Sequence, residues 1–193
     1  LKIIIHAGMD KCGSSAIQSH FKLYRNHLLE HGVYLPSTGL TGFGHKPLFS
    51  DLNSPLWATL IEELKCEEAL ASSCVFLSSE SIYFFPASKI ERLYLLLRDF
   101  DVMFLFYLRD QAEVIQSGYL QKLKSRRQTT FLTHFKKDDR LLSPRVRNYL
   151  EIIGRFDAVF GAEAISIRVF DRNRFPEGNV VYDVIAALGL GPE

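Results

Sequence analysis

Hydrophobic positions along this chain follow two rhythms in alternation. Ile3 to Ile5, Cys74 to Ser78, Asp101 to Arg109 and Ala164 to Phe170 are short runs rich in apolar residues. Such runs predict buried strands, and "DVMFLFYLR" (Asp101 to Arg109), apolar on both faces, predicts a central parallel strand. Between the runs the apolar residues recur at helical spacing. Ile17, Phe21, Tyr24, Leu28 and Leu29 predict a helix from Ser15 that stops near Gly32. Ser54-Pro55 is a capping residue followed by a first-turn proline and starts a helix to about Leu70. Further helices are expected over Ile90 to Leu97, about Ala112 to Lys124, Pro144 to about Phe160, and Val180 to Leu188. "LPSTGLTGFGHKP" (Leu35 to Pro47) reads as a loop.

Strands alternating with helices mean βαβ units. The expected fold is a single α/β domain over residues 1–193, with a mostly parallel central sheet flanked by helices on both faces. In such sheets ligands bind outside the carboxyl ends of the strands. The positions to inspect are therefore His6 to Ser15, Ser78 to Tyr83, Arg109 to Ser117, and Asp171 onward.

Composition narrows the classes. A chain of 193 residues, 47% hydrophobic and 23% charged, suffices for one substantial core. A net charge of +1 argues against bulk nucleic-acid binding, so any anion site must be local. Cys12, Cys66 and Cys74 form no disulfide framework, which favours a reducing, cytoplasmic setting. No apolar run approaches the roughly 20 residues of a membrane span, and no leader is read in the opening residues.

The chemistry concentrates in "IIIHAGMDKCGSSAIQ", Ile3 to Gln18. Gly8 and Gly13 frame a turn between a strand and a helix, Ser14 and Ser15 add hydroxyls, and Lys11 adds a charge. Helix N-terminal amides with the dipole behind them favour an anion. A nucleotide triphosphatase loop is G-x-x-x-x-G-K-[ST], with lysine after the second glycine. Here Lys11 precedes Gly13. The plain alternative is a glycine-rich turn with a solvated lysine.

The stretch "HAGMDKCGSSAIQ" resembles the 5′-phosphosulfate-binding loop of sulfotransferases that use 3′-phosphoadenosine 5′-phosphosulfate (PAPS). Bacterial and carbohydrate-type members show H-I-G-x-x-K-T-G-T-T-x-x-Q. The departures are Asp10 for proline, Cys12 for a hydroxyl residue, and serines for paired threonines. The family's second element, an arginine ending a central strand with a serine eight positions on, is matched by Arg109 and Ser117 in "FYLRDQAEVIQSGYLQ". "YLEIIGRFDAVFGAEAISIRVFDRNRF" followed by "VVYDVIAALGL" is similar to the ending of many bacterial members.

The resemblance implies a P-loop-like sulfotransferase fold and in-line sulfuryl transfer, without metal, to a hydroxyl or amine of a glycan or small molecule. Gly8, Lys11, Cys12, Gly13, Ser14 and Ser15 would hold the 5′ end of PAPS. Arg109 and Ser117 would hold its 3′-phosphate, leaving 3′-phosphoadenosine 5′-phosphate (PAP) as product. Lys11 would stabilise the leaving phosphate. Glu80, in "FLSSESIYFF", resembles the base of several carbohydrate sulfotransferases, with a surface or capping glutamate as the alternative. His45 in "GFGHKPL" is the rival base, and His6 a strand-end residue shaping the site. Lys122, Lys124, Arg126 and Arg127 form a basic segment, read either as a solvated helix end or as an electrostatic guide. A P-loop kinase and a non-catalytic nucleotide-binding module are the rival functions.

Overall fold

A computed structural model describes residues 1–9, 11–42, 44–124, 130 and 148–191. Asp10, Arg126, Arg127, the side chain of Lys122 and the expected helix start at Pro144 lie outside the described residues. Among the described residues, five strands form one all-parallel sheet: β1 (Lys2–His6), β2 (Val33–Tyr34), β3 (Cys74–Ser78), β4 (Asp101–Leu108) and β5 (Ile165–Val169). Their order is β2-β3-β1-β4-β5.

β1 is central because it can be buried on both faces: Ile3, Ile4 and Ile5 are all buried, and β-branched side chains suit the pleat. β4 buries Val102 and Phe104 to Tyr107 beside it. Described helices include α1 (Ser14–Leu23), α2 (Arg25–Glu30), α3 (Lys46–Ser50), α4 (Leu56–Glu63), α5 (Glu67–Ala71), α6 (Ala87–Leu97), α7 (Gln111–Lys124), α8 (Tyr149–Phe160) and α9 (Val180–Ala187). The chain moves one way from β1 to β2 and the other way from β3 to β4. Right-handed crossovers therefore put α1 and α6 on opposite faces. α1 packs against α9 and α6 against α8, completing both layers. On the α6 side, Phe104 and Phe106 pack against Phe156 of α8 in tilted and edge-on contacts.

Three expected elements differ. The helix from Ser15 breaks at Tyr24, whose φ of −102° and ψ of 26° leave the helical region. The helix from Ser54 is interrupted over Leu64–Cys66, between α4 and α5. The loop through Pro47 already holds α3, with Pro47 in its first turn, where proline loses no helical bond.

The segment leaving β2 is held by one carboxylate. Glu63 Oε1 accepts from Ser37 N (2.6 Å), Ser37 Oγ (2.7 Å) and Tyr34 OH (3.1 Å), and Oε2 accepts from Thr38 N (2.8 Å). Burial works against this charge, but the hydrogen bonds from Thr38 and Ser37 outweigh it and hold the carboxyl at about 2. Hydrogen bonds to charged groups contribute about 1.5–3 kcal/mol in general, and this site is partly solvated. Glu63→Ala is expected to cost about 2 kcal/mol in urea unfolding at pH 7. The clamp is complete above the ordinary carboxylate range, weakens as the pH falls below it, and is gone by about 2. The wild-type–variant difference should therefore be undiminished at pH 5.

Candidate functional site

The switch point of the sheet lies between β1 and β4, where the crossovers diverge, and there the loop from Ala7 to Gly13 leaves β1. Gly13 ends the loop at φ 77° and stands before α1 with no side-chain cap. α1 carries no acidic residue in its first turn. By contrast, Asn148 caps α8 and Asn179 caps α9. Ala16 N turns back to Gly13 O (2.9 Å), and among the described residues no side chain caps the amides of Ser14 and Ser15 ahead of it.

Two buried side chains face the same gap. His6 Nε2 and Ser14 Oγ are buried without a hydrogen-bond partner. A Cβ at Gly8 would lie 2.7 Å from each of them, so only glycine leaves this gap open. One tautomer of His6 suits an anion in this gap. Gln18 Nε2 donates to Ser78 Oγ (3.1 Å), and Ser78 Oγ stands 2.9 Å from His6 Nδ1. With the serine proton given to Nδ1, Nε2 carries the ring proton and faces the gap as a donor. Burial lowers the His6 pKa to about 4, so this donor is neutral at physiological pH. An unpartnered N–H, an unpartnered hydroxyl and an uncapped helix end suit a bound oxyanion.

The remaining loop residues divide. Lys11 is held at φ 70°, uncommon for a residue with a side chain, and its carbonyl accepts from Arg109 Nη1 at 3.0 Å. Arg109 also donates through Nε to Glu113 (2.8 Å) and lies over the Phe170 ring, 5.2 Å from its centre. The strand-end arginine therefore braces the loop across the switch point. Ser117 follows Glu113 by one turn of α7, on the side that Arg109 grips. Beside Arg109 a groove of about 390 Å³ runs to Phe170 and Asn173 beyond β5. Cys12 is buried, and its N–H turns back to Met9 O (3.3 Å). Ser15 is exposed.

Glu80 is half-buried at the start of a 3₁₀ turn, Glu80–Phe84, directly after β3. His6 pairs with Ser78, and Ser79 N donates to His6 O (3.0 Å), so Glu80 follows a residue tied to the loop's own strand. His45 is placed differently. It is fully buried, Nδ1 accepts from Ser78 N (3.2 Å) and Nε2 donates to Pro36 O (3.1 Å). Burial lowers its pKa to about 4, despite the opposing pull of the Pro36 carbonyl. Neither ring nitrogen is available to an acceptor, and the expectation of a rival base at His45 is set aside.

His6 was read from the sequence only as shaping the site. The signal for a donor was its place at a strand end two residues before Gly8. Cys12, Cys66 and Cys74 form no disulfide, and no described helix is long and apolar enough to cross a membrane.

No family model matches the chain. An uncharacterized protein of Archaeoglobus fulgidus is 32% identical over 84 residues, covering 44% of this chain and 21% of that protein. The chain thus spans about a fifth of the curated relative it matches. Among solved structures, the sulfotransferase domain from the curacin biosynthetic pathway aligns with 15% identity, 100% of this chain, 75% of that chain and a TM-score of 0.48. A sulfotransferase from Alicyclobacillus acidocaldarius aligns over 97% of this chain and 81% of that chain, with 20% identity and a TM-score of 0.61. The α/β fold of this chain, with its all-parallel sheet, is the fold of that sulfotransferase.

Proposed function

We propose that this chain is a member of the sulfotransferase family and moves a sulfuryl group from PAPS to a hydroxyl or amine of a small molecule or glycan. The observation that carries the reading is the oxyanion cradle around Gly8, with its neutral His6 donor, Ser14 hydroxyl and uncapped α1 terminus. The cradle suits the 5′-phosphate end of the donor.

Sulfuryl transfer shares the logic of phosphoryl transfer: position the reactants in line and stabilise the charge that develops. Lys11 and the first-turn amides of α1 take up charge as the bond from sulfur to the 5′-phosphate oxygen breaks. Glu80 accepts the proton of the attacking hydroxyl as the new sulfur–oxygen bond forms. Arg109 and Ser117 take the 3′-phosphate, with Arg109 exchanging its Glu113 partner for phosphate while keeping Lys11 in place.

A thermal-shift comparison tests the reading. PAP at 100 times its dissociation constant should stabilise the fold by about 2.7 kcal/mol without magnesium, and Mg-ATP at the same concentration by far less. A larger shift with Mg-ATP would replace the sulfotransferase with a P-loop kinase. Labelled PAPS with a panel of alcohols, amines and sugars then identifies the acceptor.

A further inference from the structure

We propose that His27, Glu30 and His31, at the end of α2, form a binding site for a divalent transition-metal ion of the zinc class. The segment "HLLEH" puts two imidazoles four residues apart, on one helical face, with a carboxylate between them. One ligand atom from each residue lies within 4.8 Å of the others. The His27 and His31 ring centres stand 4.3 Å apart with their planes tilted by 58°, so the two imidazoles are neighbours.

Three further observations fit a metal better than a chance surface cluster. His27 Nδ1 stands 3.4 Å from Glu30 Oε2, beyond ordinary hydrogen-bond length. Two ligands each about 2.05 Å from a tetrahedral ion are about 3.4 Å apart, so an ion fits between these atoms with little movement. His31 Nδ1 donates to His27 O at 2.9 Å. That bond fixes the tautomer and leaves Nε2 with its lone pair outward, the arrangement of a metal-binding imidazole held by a carbonyl behind it. The cluster also sits where α2 ends, and carbonyl ends of helices favour cations.

Two imidazoles and a carboxylate select zinc, nickel or copper over magnesium and calcium, which prefer all-oxygen shells. Three protein ligands leave a fourth position to water. The side chains of His27 and Glu30 are 66% and 71% exposed, so the ion would exchange freely with solvent. The next residue, Gly32, accepts at its carbonyl from Ser73 N and Cys74 N. A bound ion would therefore brace the turn that sets β2 against β3. The site is independent of the transferase loop.

Calorimetric titration of the chelator-treated protein with zinc sulfate tests the site. One ion per chain is expected for the wild type, with no response to magnesium chloride. His27→Gln and His31→Gln should each weaken zinc binding by at least about 10-fold, since even an outer-shell partner costs 10- to 100-fold. PAP binding by either variant should be unchanged, which separates failure here from failure of the transferase reading. A measurement on the wild type needs no variant: zinc should shift the ¹⁵N resonances of the His27 and His31 imidazoles and leave those of His6 and His45 in place. Absence of stoichiometric zinc binding overturns the proposal, as do variants that bind zinc like the wild type.

Discussion

Acidification from about pH 6.5 to 4 should remove several kcal/mol from the stability of this protein. His6 and His45 are both buried in the neutral form, and burial lowers each from 6.5 to about 4. In the unfolded chain both regain the ordinary value near 6.5. Between these values the unfolded chain binds more protons than the folded one, so stability falls as the pH falls. Their contribution is complete above about 6.5 and gone by about 4. At 1.36 kcal/mol per pH unit, each histidine accounts for about 3 kcal/mol, against a typical total of 5–15. Glu63 enters only at the acid end of this window, because its contribution is complete above the ordinary carboxyl value of 4.5 and is lost from there down to about 2. Urea unfolding at pH 7, 6, 5 and 4 checks this, with a constant slope against denaturant and a falling midpoint. Stability that stays level from pH 7 to 4.5 would mean that the two rings are solvated or paired when charged. His45→Gln should be less stable at pH 7 yet lose less on acidification, since one of the two protons is gone.

The two histidines also show where the sequence is legible and where it is not. The run from Ile3 and the run from Asp101 are buried on both faces, so each reads as a buried strand from its residues alone, and the longer one as central. The Gly8–Gly13 turn is visible because glycine there serves local geometry. β2 is two residues long and owes its place to pairing with β3, a long-range contact that no window of sequence contains. His45 fails for a related reason. The segment around it reads as a loop from its sequence, but Gly44 is at φ 65° where the backbone crosses the end of β3. A Cβ there would stand 2.5 Å from Ser78 O. The close approach that requires glycine is the approach that buries His45. His6 lay in plain view, but its setting depends on a hydrogen-bond chain through Ser78 to Gln18, residues 72 and 12 positions away that only the fold brings to it.

Glu80→Gln should leave PAP binding intact and lower the single-turnover rate by about 10²-fold or more. A base must lie within hydrogen-bond reach of the acceptor hydroxyl, and small displacements are costly, so its support matters as much as its chemistry. Glu80 has that support on both sides. Before it, Ser79 N is bonded to His6 O, and the Ser79 side chain caps the following turn at Ser81 N. After it, Ile82 and Tyr83 are buried in the core and anchor the 3₁₀ turn. The side chain itself remains half-exposed, at the sheet end where the loop from β1 opens. Glutamine keeps the size and the carbonyl oxygen but cannot accept a proton at neutral pH, so the substitution separates chemistry from shape. The measurement is a rapid-quench rate with saturating PAPS and an identified acceptor, beside a PAP titration of the same variant. A normal rate in Glu80→Gln would move the proton to another acceptor, since both nitrogens of His45 are already committed to backbone. Loss of PAP affinity in the variant would instead place Glu80 among the residues that support the loop.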